Sequence, residues 1–147
     1  MAFSPPSPCI GICSTVYGDD FCRGCKREYR EVINWNSFEP AQKQAVLERL
    51  QQQIEIVMTD FLSITDIVLL KTQLDRAALQ PPIYSSPWCW AHELLRLKAT
   101  AIKYLGDYGL QAHPQYQALS SNALFTLIDD KLYALVQLPP VLCSNSE

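Results

Sequence analysis

Apolar residues recur every three to four positions through most of this chain. From Ala41 onward, Val46, Leu47, Leu50, Ile54 and Val57 fall on one stripe, the spacing of one face of a 3.6-residue helix. Gln42, Lys43, Glu48, Arg49, Gln52 and Gln53 occupy much of the opposite side, and Pro40 suits the first turn, where an N–H has no helical partner anyway. This pattern predicts a helix from Ala41 to about Met58. A second stripe, Ile64, Ile67, Val68, Leu70, Leu74 and Ala78, predicts another, halted by Pro81-Pro82. Gln80 to Ser86 reads as a Pro/Ser connection. Ser86-Pro87 reads as an N-cap and first-turn proline, opening a helix that carries Trp88, Leu94, Leu95, Ala101, Ile102 and Leu105. Gly106 and Gly109 punctuate its end. His113-Pro114 marks a loop, with room for a turn up to Leu119. Ser120 or Ser121 caps a last helix with Leu124, Leu127, Ile128, Leu132, Leu135 and Val136 inward. Pro139-Pro140 ends it, and Val141 to Glu147 is expected to fray. No strand series is expected, although the N-terminal segment leaves room for a tiny hairpin.

That segment breaks the helical pattern and carries the one chemistry the chain announces. Cys9, Cys13, Cys22 and Cys25 read P-C-I-G-I-C, then eight residues, then C-R-G-C. A tetra-thiolate site needs four sulfurs at roughly 2.3 Å from one ion. Two cysteines on one tight turn chelate the same ion with little strain, and a second pair closes the site at small entropic cost because the loop is short. Gly11 and Gly24 lie inside the two pairs, Gly18-Asp19-Asp20 supplies turn chemistry between them, and Pro5, Pro6 and Pro8 stiffen the entry. Lys26 to Asn34 is expected to form a short helix leading out, with Trp35 packing on the module.

The competing reading is a disulfide pair or four unrelated thiols. Disulfides need an oxidising compartment. The opening M-A-F-S-P-P-S-P lacks the basic and apolar regions of a secretory signal, and no run of about 18 apolar residues suggests a membrane span. A cytoplasmic setting is therefore expected, where such a pattern favours metal over disulfide.

Composition narrows the rest. A chain of 147 residues with 48% hydrophobic content has a real core, in one domain or two small ones. The expected division is residues 1–58, the cysteine module with its following helix, and residues 59–147, a helical module. The formal charge of −3 gives no broad basic field for a nucleic-acid duplex. The fold class is thus mainly α: a small four-cysteine knuckle followed by a helical bundle.

The stretch from Ser7 to Leu50, about a third of the chain, also resembles a bacterial family called domain of unknown function 1289, labelled as predicted iron–sulfur proteins. The matching motifs are S-P-C-I-G-I-C (Ser7 to Cys13), F-C-R-G-C (Phe21 to Cys25), N-W-N (Asn34 to Asn36) and Q-A-V-L-E-R-L (Gln44 to Leu50). The resemblance implies that Cys9, Cys13, Cys22 and Cys25 are metal ligands. Its label argues for a cluster, whereas the short loop and the C-R-G-C knuckle are zinc-like. Four thiolates suit either. Arg23, Lys26, Arg27 and Arg30 beside the second pair either offset thiolate charge or form a solvated helix face.

Other residues invite weaker readings. Cys89 and His92, three apart on one helix face, have the spacing of a chelate or of a nucleophile and base. Their neighbours Trp88, Trp90, Leu94 and Leu95 make a packed cysteine and a hydrogen-bonded histidine the default. His113 and Cys143 read as surface and tail. Asp129-Asp130 point apart on their helix, and Asp19-Asp20 read as turn residues. No phosphate loop, dinucleotide fingerprint, nucleophile elbow or metalloprotease helix occurs. Two function classes follow. The first is a non-catalytic zinc-stabilised protein whose helical half binds a protein partner, with Tyr104, Tyr108 and Tyr116 as candidate contacts. The alternative is an iron–sulfur protein with a redox or oxidant-sensing role.

Overall fold

Helices follow the apolar stripes closely where those stripes are long. The computed structural model describes residues 5–11, 13–78 and 82–138. Five α-helices are present among them: α1 (Tyr29–Ile33), α2 (Pro40–Phe61), α3 (Ile67–Ala77), α4 (Pro87–Lys98) and α5 (Ser121–Val136). The chain is mainly α. Helix α2 starts at Pro40 and buries Val46, Leu47, Leu50, Ile54 and Val57, the predicted stripe. Helix α4 starts at Pro87 with Ser86 as its N-cap. Helix α5 buries Leu124, Ile128, Leu132 and Val136, while Leu127 stays exposed. Just ahead of it, Ser120 Oγ accepts the Ala123 N–H at 3.1 Å.

Shorter stripes were less reliable guides. The expected helix through Ile64 begins only at Ile67, with the Asp66 carboxylate accepting the Leu69 N–H at 3.0 Å. Ile67 and Val68 are exposed and only Leu70 and Leu74 of that stripe are fully buried. Helix α4 stops at Lys98, so Ala101, Ile102 and Leu105 lie beyond it. Two strands replace part of the expected helix and loop: β1 (Leu62–Ile64) pairs antiparallel with β2 (Leu110–Ala112), Ser63 opposite Gln111. Three residues are too few to display an alternating pattern, and the partner is distant in sequence.

Gly109 makes this pairing possible. It sits at φ +74°, and its carbonyl accepts the N–H groups of Thr65 and Asp66 at 2.8 and 3.2 Å. A Cβ there would overlap the Asp66 carbonyl oxygen and lie 3.2 Å from the Leu70 nitrogen.

The described residues fall into two compact units, one within Met1–Leu50 and Lys131–Glu147, the other Gln51–Asp130. The division between these compact units falls inside α2 and α5. A helix of 22 residues is about 33 Å long, more than one small core can cover. In the first unit Trp35, Val46, Leu47 and Leu50 are buried. In the second, α3 packs on α4, and the Phe61 and Tyr116 rings lie 4.7 Å apart. Among the described residues no helix is long and apolar enough to cross a membrane.

Candidate metal centre

The C-R-G-C segment is a hairpin. Phe21 and Glu28 form an antiparallel bridge. Inside it the Cys22 N–H donates to the Arg27 carbonyl and the Lys26 N–H to the Cys22 carbonyl, each at 2.8 Å. The chain turns at Lys26, a residue with φ 70°. That conformation costs a non-glycine residue about 1 kcal/mol. The Lys26 ammonium offsets part of this strain by donating to the Arg23 and Gly24 carbonyl oxygens of the same turn. Lys26 and Arg27 are both buried, so the basic residues here are not all a solvated face.

Cys22 is 1% exposed and Cys25 half-buried. Burial pushes the Cys22 thiol up, but hydrogen bonds from the backbone at Cys25, Ser14 and Gly24 and from the Cys25 side chain outweigh it, and its pKa is lowered. Burial dominates at Cys25 and holds its pKa up, although Arg27 Nε donates to Cys25 Sγ at 3.2 Å. The Arg27 guanidinium also lies 5.0 Å from the Trp35 ring centroid, a cation–π contact. Trp35 is buried on this module, as expected.

The first pair is arranged differently. Cys9 is exposed, and its sulfur accepts the Gly11 N–H at 3.3 Å, with Gly11 at φ 92°. Cys13 precedes a 3-10 turn at Ser14–Tyr17 and lies 2.9 Å from Thr15 Oγ1. Among the described residues no three His, Cys, Asp or Glu side chains form a group that could hold a metal ion. The structure thus brings Cys22 and Cys25 together and does not gather Cys9 and Cys13 with them. None of Cys9, Cys13, Cys22, Cys25 and Cys89 is in a disulfide.

Two supports of this turn were not legible in the sequence. Tyr133, on α5, donates its hydroxyl to the Phe21 carbonyl at 2.8 Å. Arg23 stacks 4.4 Å over the Tyr133 ring and approaches Asp19 at 3.7 Å. A contact between residues 112 positions apart leaves no local signal.

The remaining candidates separate by environment. Cys89 is 3% exposed; burial and the nearby Glu55 charge push its thiol up to about 12, which keeps it neutral. His92 stacks on Phe125 at 5.5 Å. Cys89 is packed, as expected. His113 Nε2 lies 2.9 Å from the Thr59 carbonyl. Tyr104 is 71% exposed, while Tyr108 and Tyr116 are half-buried. Cys143 lies outside the described residues.

Residues 7–54 match the model of a family described as "Protein of unknown function (DUF1289)". The chain is 43% identical over 52 residues to proteins called "Uncharacterized protein YdhL" from Escherichia coli K12 and Shigella flexneri. That match covers 35% of this chain and 65% of each relative, so the chain spans slightly less than two thirds of their length. No solved structure matches the chain.

Proposed function

We propose that Cys9, Cys13, Cys22 and Cys25 hold one structural metal ion, zinc, and that the chain is a non-catalytic protein whose helical half, residues 59–147, docks a protein partner. The Cys22–Cys25 turn carries this reading. Its hydrogen bonds aim N–H groups at a buried sulfur, the arrangement that stabilises a thiolate ready for a cation. Cys22 and Cys25 would supply the first two ligands. Cys9 and Cys13 would complete the set by turning their sulfurs toward that pair, and metal binding would supply the energy for that step. The ion, once bound, contributes cross-linking of four side chains. Four thiolates leave no open coordination position for water or substrate. Nothing about the helical half requires chemistry: Tyr104 offers an exposed aromatic contact beside the shallow depression lined by Lys103, Leu110 and Tyr116.

The test is metal analysis of protein purified without oxygen. One zinc per chain, lost in Cys22→Ser and kept in Cys143→Ser, supports the assignment. Unchanged metal content in Cys22→Ser sinks it. A brown preparation with iron and acid-labile sulfide replaces zinc with a cluster and moves the protein to the redox class.

A further inference from the structure

Ser121 opens α5 and is 6% exposed, yet among the described residues its hydroxyl makes no hydrogen bond. It lines a depression of about 380 Å³ whose walls also carry Lys103, Tyr104, Leu110, Tyr116 and Leu119. A volume of that order suits a small organic ligand. The helix end adds donors. Ser120 Oγ accepts the Ala123 N–H at 3.1 Å, and the Ser120 carbonyl accepts the Leu124 N–H at 2.9 Å. The N–H groups of Ser121 and Asn122 precede these in the first turn and meet no acceptor among the described residues. Among the described residues Lys103 is the one charged side chain on the wall, and it enters no ion pair. Asp66 and Asp107 belong to neighbouring segments, but neither lines the depression.

We infer that this depression is a binding site for a small phosphate monoester. The phosphate sits at the start of α5, between the Ser121 hydroxyl and the Lys103 ammonium. The organic group rests on Leu110, Leu119 and the Tyr116 ring. Each part follows from the chemistry of the wall. N–H groups at a helix start carry partial positive charge and bind phosphate oxygens. Lysine adds a mobile point charge, a common phosphate partner. The helix N–H groups, the hydroxyl and the ammonium are three kinds of donor, and a phosphate monoester offers three strong acceptor oxygens to them. A carboxylate offers two. Leu119 is 39% exposed, apolar surface that the organic group would cover. The site requires neither the metal ion nor the protein partner proposed above.

The experiment titrates the full chain with phenyl phosphate, inorganic phosphate and benzoate, and follows the backbone amides by NMR. Phenyl phosphate should bind saturably and move the Ser121 and Asn122 amides most. Inorganic phosphate should move the same amides with weaker affinity, and benzoate should bind weakest. Lys103→Ala and Ser121→Ala should each weaken phenyl phosphate about tenfold, the loss of one hydrogen bond to a charged group. Lys98→Ala removes an exposed lysine that does not line the depression and should leave the affinity unchanged. Melting curves of the variants separate lost binding from lost stability. Should Ser121→Ala fail to fold, Lys103→Ala, at an exposed position, decides. An equal loss in Lys98→Ala and Lys103→Ala would mean diffuse charge attraction and overturn the proposal. So would phenyl phosphate that does not saturate, or shifts that avoid Ser121 and Asn122. Benzoate binding as tightly as phenyl phosphate would assign the affinity to the ring and remove the phosphate from the proposal. Inorganic phosphate binding as tightly would overturn the monoester.

Discussion

The hydroxyl of Tyr133 donates to the carbonyl of Phe21 at 2.8 Å, joining residues 112 positions apart. Phe21 begins the cysteine hairpin and Tyr133 lies near the end of α5. The same tyrosine carries Arg23 on its ring face. One side chain therefore ties the C-terminal part of the chain to the turn bearing Cys22 and Cys25.

Tyr133→Phe should remove the hydrogen bond and keep the ring. The expected cost is about 1 kcal/mol, seen as a drop of a few degrees in Tm. Amide exchange should quicken at Phe21 to Glu28. Unchanged protection there would show that the contact does not hold the hairpin.

Glu31 provides a pH test. Burial pushes its carboxyl up, but hydrogen bonds and charge from Arg49, with the Glu28 N–H, outweigh this and hold it below the usual carboxylate range. A depressed folded value means that the contribution is fully present above the unfolded value, near about 4.3, and is lost as pH falls through the folded one. Glu31→Gln keeps an acceptor for the capping box at Glu28 and removes the charge. At pH 7 the variant should be less stable by about 1 kcal/mol, a modest figure because Arg49 is partly exposed. The gap between the two melting curves should close as pH drops below the ordinary carboxylate range. A pH-independent gap would contradict the ion-pair account.

Gly109→Ala and Gly106→Ala should behave oppositely. At Gly109 the new methyl meets the Asp66 carbonyl and the backbone is left-handed, so a loss above about 2 kcal/mol is expected. At Gly106 a Cβ meets nothing within 4 Å, and the change should stay within about 0.5 kcal/mol. Urea midpoints of the two variants give the comparison. Equal midpoints would contradict the β1–β2 corner described above.

Cys89 should be inert. With its thiol pushed up to about 12 and 3% exposed, it should resist alkylation at pH 8 in the native protein and react after unfolding. Cys9, exposed on the surface, should react at once in metal-free protein. Rapid native labelling at Cys89, located by peptide mass, would reopen a nucleophilic role for it with His92.

The sequence alone was sufficient for the long helices. Val46, Leu47, Leu50, Ile54 and Val57 repeat often enough that only one regular structure can bury them together, and Pro40 and Ser86-Pro87 mark starts through local steric rules. The closeness of Cys22 and Cys25 was legible for the same reason, since two intervening residues leave a tight turn little choice. Tertiary structure decided what depends on distant partners. Leu62 to Ile64 became a strand because Leu110 to Ala112 arrived beside it. Ile67 and Val68 were left exposed although their apolar character suggested burial. Arg27 turned inward onto Cys25 and Trp35, where its neighbours in sequence gave no sign of a buried cation. Local periodicity reports which face of a segment is apolar. Which distant group meets that face is settled only when loop closure and packing are satisfied together.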